Sequence, residues 1–206
     1  MAPDFRERLT DALGALTPLR VNVPDAREAA VLIPIIGGAE PALLFTVRTD
    51  TVRSHKGQIS FPGGSMDPGD ASLRAAALRE TEEEVGLDPS VVEVVGELDT
   101  FPTFISGYVV TPFVGWIGQT QQLHPNPAEV ASVLEVPLVE LREEIRLDAG
   151  FELRGRTYPT EAWVWRDHII WGVTARILRQ LLEVLARAGL AERPAGDGRW
   201  VFPPPK

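Results

Sequence analysis

The sequence predicts a single α/β domain built on a mixed β-sheet. Three features predict it. Apolar, β-branched runs of strand length stand at 29–37, 41–48, 91–98 and 108–118. Apolar residues recur at helical spacing through 72–85 and 172–188. Strands and helices alternate without the regular βαβ rhythm of an all-parallel sheet, and no internal repeat or long linker divides the 206 residues. The domain therefore spans 1–206, with a core over about 27–190 and a helix and a proline-rich tail as terminal extensions.

Taken in order, residues 4–16 read as a short helix that ends before Pro18, and 18–28 as a connection. "AAVLIPIIG" (29–37) and "PALLFTVR" (41–48) flank "GGAE", a hairpin signal. "QISF" (58–61) is a short strand running into "PGG". The 72–85 helix is followed by Gly86, well placed to cap its end. "VVEVVGEL" (91–98) and "YVVTPFVGWIG" (108–118) are strands, and "PAEVASVLEVPLVEL" (127–141) reads as part strand and part helix. "EAWVWR" (161–166) alternates as a strand does, and "GVTARILRQLLEVLARA" (172–188) is a long amphipathic helix.

Composition narrows the function. With 44% hydrophobic and 24% charged residues, the chain has the makings of a core and is not a disordered one. A net charge of −9 disfavours a nucleic-acid footprint and adhesion to anionic lipid. A local basic cluster can still hold phosphate. There is no cysteine, so disulfides, thiolate nucleophiles and cysteine-ligated metals are excluded. Any metal falls to carboxylates, carbonyls or the three histidines. No apolar run is long enough to span a membrane. "MAPDFRERLTDALGAL" lacks the apolar run of a signal peptide, and the proline-rich "VFPPPK" carries no retention or peroxisomal signal. A cytoplasmic protein with no nucleic-acid or membrane partner is the expectation.

The unusual stretch is "ALRETEEEVGL" (77–87). On a helical wheel Leu78, Thr81 and Val85 share one side as a core stripe. Glu80, Glu83 and Glu84 gather on the other, beside Ala76 and Ala77, while Glu82 points elsewhere into solvent. Like charges at these spacings cost roughly 0.2–0.5 kcal/mol per pair. They also lie towards the helix C-terminus, where the macrodipole disfavours negative charge. A solvated acidic face is the usual meaning of a glutamate run, but only Arg79 relieves the repulsion here. A divalent cation offsets both penalties, and Mg²⁺ takes one or two carboxylates together with water and phosphate oxygens. Arg79 precedes Glu83 by four residues, within reach to orient its carboxylate. The preceding loop, "FPGGSMDPGD" (61–70), has Gly63, Gly64 and Gly69, which permit tight turns and close approach to a ligand.

Gly64, Asp70, Arg79-Glu80, Glu83-Glu84 and Gly86-Leu87 together resemble the Nudix box, G-x5-E-x7-R-E-U-x-E-E-x-G-U with U bulky and apolar. Thr81 replaces the apolar U, Asp70 replaces glutamate, and eight residues rather than seven separate Asp70 from Arg79. The resemblance implies an α/β/α sandwich that hydrolyses a nucleoside diphosphate linked to another moiety, with Mg²⁺ or Mn²⁺. It makes Glu80 and Glu84 direct metal ligands, and Glu83 a further ligand or the group that positions the attacking water. Arg79 would orient Glu83, and Gly64 would let the loop pack.

Upstream, Leu44-Phe45-Thr46-Val47-Arg48-Thr49 and then Arg53-x3-Gly57-x3-Phe61-Pro62-Gly63-Gly64 resemble the added signature of the coenzyme A pyrophosphatase subfamily. "IIWGVTARIL" (169–178) is similar to that subfamily's C-terminal helix, so the resemblance covers about 29–182. It implies cleavage of coenzyme A, or a derivative, to 3′,5′-ADP and 4′-phosphopantetheine. Arg48 and Arg53, with Lys56 as a third, would contact phosphate oxygens. Gly57, Phe61, Gly63 and Gly64 complete the substrate-binding set. Glu129 is a candidate water-activating group outside the box, as well as a charge suited to a helix start after Pro127. Glu97 and Asp99 follow a strand and are weaker candidates for the metal, and His55, His124 and His168 read as exposed or structural. Trp163, Trp165 and Trp171 read as core or dimer surface. Two alternatives stay open, another diphosphate such as ADP-ribose as substrate, and a nucleotide-binding module without turnover. The oligomeric state is also open, with a homodimer common in the superfamily.

Overall fold

The structure is a computed structural model describing residues 4–49, 57–103, 106–119, 121–140, 145–153 and 156–191. Strand β1 (Arg27–Ile36) explains its architecture, because it is buried on both faces. Ala30, Leu32 and Ile36 pack on one side with Ala76, Ala77, Val85 and Leu87. Ile33 and Ile35 pack on the other with Leu9, Leu13, Trp163, Leu178 and Leu181. A strand covered on both faces needs a continuous apolar run, and "AAVLIPII" is one.

Strand β7 (Tyr108–Ile117) lies parallel to β1 in register from Arg27↔Tyr108 to Ile36↔Ile117. Strand β5 (Val92–Glu97) runs antiparallel on its far edge, which makes the sheet mixed as expected. The hairpin between β1 and β2 (Ala42–Arg48) pairs at Ile35↔Leu43 and Ile36↔Ala42. Below it the two strands part, and the chain from 59 to 65 fills the gap. Strand β3 (Ile59–Ser60) pairs with β2, and β4 (Gly63–Ser65) with β1. The "FPGG" turn thus crosses from one strand to the next at the point where helix α2 (Leu73–Val85) packs. Strand β6 (Phe101–Pro102) adds to β7.

Helix α2 covers one face of this sheet. Helices α1 (Phe5–Gly14) and α3 (Gly172–Arg187) cover the other, giving the α/β/α sandwich. A capping box starts α1, with Asp4 accepting from the Glu7 amide at 2.8 Å and Glu7 accepting from the Asp4 amide at 3.2 Å. Strands β9 (Ile145–Leu153), β10 (Arg156–Trp165) and β11 (His168–Trp171) form a separate antiparallel sheet against α3. Trp163 is buried there, its indole N–H donating to the Ala175 carbonyl at 3.3 Å.

Two expectations change. Among the described residues of the 127–141 segment, 127–140, there is no α-helix: a turn is followed by strand β8 (Val130–Pro137), which pairs antiparallel with β2. Its Val133 and Leu134, on opposite faces, pack against the two core clusters, while Ala131, Ser132 and Glu135 are exposed. The core side of α2 is also rotated. Ala76 and Ala77, expected beside the glutamates, are fully buried, and so is Glu84, whereas Leu78 is only partly buried. The small alanines let α2 lie close on β1. Thr81 is buried because its hydroxyl donates to the Ala77 carbonyl at 2.7 Å, inside the helix itself. Among the described residues no helix is long and apolar enough to cross a membrane.

Candidate active site

Helix α2 is fixed at both ends. The Ser72 side chain accepts from the Ala75 amide at 3.2 Å. Gly86 ends the helix at φ 70°, and its N–H donates to the Glu82 carbonyl. Two of the last carbonyls are taken by a strap from the chain after β7. The His124 amide donates to Val85 at 2.8 Å and the Asn126 amide to Glu84 at 2.9 Å. The strap then turns: the Glu129 amide donates to the Asn126 carbonyl at 3.0 Å, and the Glu129 carbonyl accepts from the Thr49 amide at 2.9 Å. Glu129 is thereby held between the end of α2 and the end of β2. It enters a strand from a turn and does not start a helix.

Arg79 organises the outer acids. Its Nε and Nη2 each lie 3.0 Å from one Asp70 oxygen, a bidentate pair. Its Nη1 donates to Glu80 at 3.0 Å and to Glu83 at 3.1 Å, and Nη2 also reaches the Ser65 carbonyl at 3.2 Å. The Arg79 guanidinium, and then the Asp67 amide, hold the Asp70 carboxyl below its ordinary range. In spite of the extra residue in the loop, Asp70 is therefore the anchor of Arg79.

Glu84, deeper in the site, is shorter of positive charge. Glu84 is 3% exposed. One of its oxygens accepts from the Gly63 amide at 3.2 Å, and the other lies 3.6 Å from Arg48 Nη1. Burial pushes its carboxyl up to about 7, against the Gly63 amide and Arg48, with repulsion from Glu129 and Glu80 adding to the rise. Burial also raises Glu80, opposed by Arg79 and reinforced by Glu83 and Glu129. The glycines before them are required by contact. A Cβ on Gly63, at φ 147°, would strike the Ala30 carbonyl oxygen at 2.3 Å. One on Gly64 would meet the Glu80 carboxylate at 2.5–2.7 Å.

These features suit a hard divalent cation. Glu80 and Glu84 are oxygen donors that carry more negative charge than their neighbours neutralise, beside a glycine backbone that leaves room for close approach. Among the described residues no three acidic or histidine side chains converge tightly enough to enclose a cation unaided. Mg²⁺ asks for no such enclosure, since water and phosphate oxygens fill most of its octahedron.

The NUDIX domain profile matches residues 26–161. The chain belongs to the Nudix family. The uncharacterized Nudix hydrolase NudL of Photorhabdus laumondii subsp. laumondii is 46% identical over 160 residues, covering 76% of this chain and 84% of that one. The protein of the same name from Citrobacter koseri is 44% identical over 183 residues, covering 84% and 92%. Among solved structures, a MutT/nudix family protein from Enterococcus faecalis shares the fold at a TM-score of 0.54. It is 14% identical, and the match covers 90% of this chain and 70% of that one. This is a Nudix hydrolase with the family's mixed-sheet sandwich.

The structure gathers the Nudix helix acids, Arg79, Gly63, Gly64 and Arg48 into one site, with Glu129 near enough to act on Glu80 and Glu84. It places two of the expected substrate-binding residues differently. Phe61 is 2% exposed and stacks on Phe45 with centroids 4.6 Å apart, so its ring belongs to the core beneath the loop. Gly57, at φ 63°, donates its amide to the Arg48 carbonyl at 3.1 Å and closes the β2–β3 connection. Arg53, Lys56 and His55 lie outside the described residues. Glu97 pairs with Arg20, and Asp99 accepts from the Leu19 amide, so both hold the N-terminal connection and do not face the site. Sequence reasoning missed the 124–126 strap, although the Asn126-Pro127 turn signal marks where it bends.

Proposed function

We propose that this Nudix hydrolase uses Mg²⁺ or Mn²⁺ to cleave the pyrophosphate of coenzyme A, or of a coenzyme A derivative, into 3′,5′-ADP and 4′-phosphopantetheine. One observation carries the reading. The loop signature shared with coenzyme A pyrophosphatases and the Nudix helix meet in a single ion pair, Arg48–Glu84. That pairing supports the reading that substrate-side and metal-side residues form one site.

Glu80 and Glu84 would hold the cation, which when bound lowers the charge on the pyrophosphate oxygens and the pKa of a water beside them. Arg79 keeps Glu80 and Glu83 in place through three carboxylates and a carbonyl. Glu83 or Glu129 takes the proton of the attacking water as its oxygen bonds to phosphorus and the bridging P–O bond breaks. Arg48, with Arg53 and Lys56 of the same sequence signature, supplies charge-assisted bonds to phosphate oxygens, including the 3′-phosphate that coenzyme A adds. Positioning and field account for the catalysis, as phosphoryl transfer requires.

The test is purified protein with coenzyme A and Mg²⁺ or Mn²⁺, the products identified by mass, beside Glu84→Gln. Cleavage to the two named products, lost without metal and severely reduced in the variant, is expected. ADP-ribose turned over as fast or faster would overturn the substrate, and tight binding of coenzyme A without cleavage would overturn the reaction.

A further inference from the structure

Two arginines meet the acids of this site, and they are held differently. Arg79 is saturated, with hydrogen bonds of 3.0–3.2 Å to Asp70, Glu80, Glu83 and the Ser65 carbonyl. Arg48 is not. Its Nη1 lies 3.6 Å from Glu84, within ion-pair range and beyond hydrogen-bond range. Its Nε is buried and has no partner among the described residues. Buried N–H groups are normally paired, so this guanidinium has donors to spare beside the carboxylates of the site. The backbone beneath it is built firmly. The Arg48 amide donates to Gln58 at 3.0 Å, and its carbonyl accepts from Gly57 at 3.1 Å. The β2–β8 register also slips by one residue between Val47 and Arg48, a bulge of the kind that re-aims side chains near active sites. The side chain alone is left to turn.

We propose that Arg48 is a transferable counter-ion: it neutralises Glu84 until a divalent cation takes that carboxylate, then turns its fork to the pyrophosphate oxygens. The inference rests on the metal-dependent pyrophosphatase reading above and adds an order of events to it. A guanidinium and a divalent cation on one carboxylate repel each other. A pyrophosphate offers the displaced guanidinium a better, bidentate partner. Arg48 then opposes cation binding while no anion is present and favours the anion once the cation is bound, a coupling that is reciprocal by linkage.

The sign of one measurement separates this from simpler roles. Mn²⁺ binding without substrate is followed by the spin resonance of free Mn²⁺, on the full chain and on Arg48→Gln and Arg48→Lys. Arg48→Gln should bind Mn²⁺ on the order of tenfold more tightly, as removal of a nearby positive charge requires. Arg48→Lys, which keeps the charge, should stay near the wild type. In turnover, Arg48→Gln should lose kcat/KM mainly through KM. A residue needed only for the fold would weaken both properties, and one that only contacts substrate would leave Mn²⁺ binding unchanged. Either result in a protein with a normal melt overturns the proposal. If Arg48→Gln does not fold, the wild-type crystal structure with Mn²⁺ decides: Arg48 should lie farther from Glu84 than the roughly 4 Å reach of an ion pair, and an unchanged pair would overturn it. A wild type that binds no Mn²⁺ would overturn this coupling and the pyrophosphatase reading together. A wild type that binds Mn²⁺ and cleaves coenzyme A, with Mn²⁺ affinity unaltered in Arg48→Gln, would overturn the coupling alone.

Discussion

An alanine at Gly64 would put a methyl group 2.5 Å from Glu80 Cδ and 2.6 and 2.7 Å from its two oxygens. Van der Waals contact requires the carboxylate to retreat by about 0.8 Å. That movement breaks or stretches the 3.0 Å bond from Arg79. A misplacement on the scale of 1 Å at a reacting centre costs about 10²-fold in rate. The fold, by contrast, has little to lose. Gly64 has an ordinary φ, so the backbone accepts alanine. The stiffer unfolded chain contributes about 0.4–1 kcal/mol of stability, which offsets the roughly 0.5–1.5 kcal/mol of one hydrogen bond. Gly64→Ala should therefore lose about 10²-fold in kcat/KM while its Tm moves by no more than about 4 °C. Gly69→Ala is the control, since nothing lies within 4 Å of its added methyl in the same loop. Its activity should be that of the wild type. Steady-state kinetics at saturating metal, paired with thermal melts, measure both quantities. Full activity in Gly64→Ala, or an equal loss in Gly69→Ala, would refute the contact as the cause.

Glu84 sets a pH dependence. Its folded pKa of about 7 stands above the 4.5 of a free glutamate, so between those values the folded state binds more protons than the unfolded one. Without divalent ions its contribution to stability is present below about pH 4.5 and is lost as pH rises towards 7; melts in EDTA should show that decline, and Glu84→Gln should abolish it. A bound cation must expel the same proton, so titrations should find Mn²⁺ affinity falling below pH 7 by up to about tenfold per unit. Arg79→Lys cannot reproduce the bidentate Asp70 pair or the bridge to Glu80 and Glu83. Its kcat should fall by about 10²- to 10³-fold with KM little altered, as steady-state kinetics will show. Gly86→Ala forces a side chain into φ 70° and against His124 at 2.9 Å, and denaturant unfolding should register a loss of at least about 1–2 kcal/mol.

What the sequence disclosed and what it hid follow from how each signal is encoded. Helix α2 and the acids upon it were legible because spacing along one helix fixes which residues are neighbours. The doubly buried β1 was legible because a continuous apolar run has few other uses. Less legible was which glutamate is buried. The wheel gave a core stripe around Leu78, whereas the alanines and the glycines of β4 let Glu84 sink towards the sheet. Long-range partners left the weakest trace. Asp70 meets Arg79 across an extra loop residue, and the 124–126 strap reaches α2 with backbone amides, which any residue can supply. Phe61 reads as part of a substrate loop from the signature around it, yet its ring fills the core against Phe45. Strands β4 and β9 were also missed, the first because it is little more than a glycine pair, the second although "IRLDAGFEL" alternates as a strand does.

The central claim is that Glu80 and Glu84 hold the divalent cation that acts on a pyrophosphate. Anomalous scattering from a crystal grown with Mn²⁺ tests it most directly. A peak about 2.0–2.3 Å from a carboxylate oxygen of each residue is predicted, and it should vanish in Glu84→Gln. A peak elsewhere, or an active enzyme whose Mn²⁺ touches neither glutamate, would contradict it.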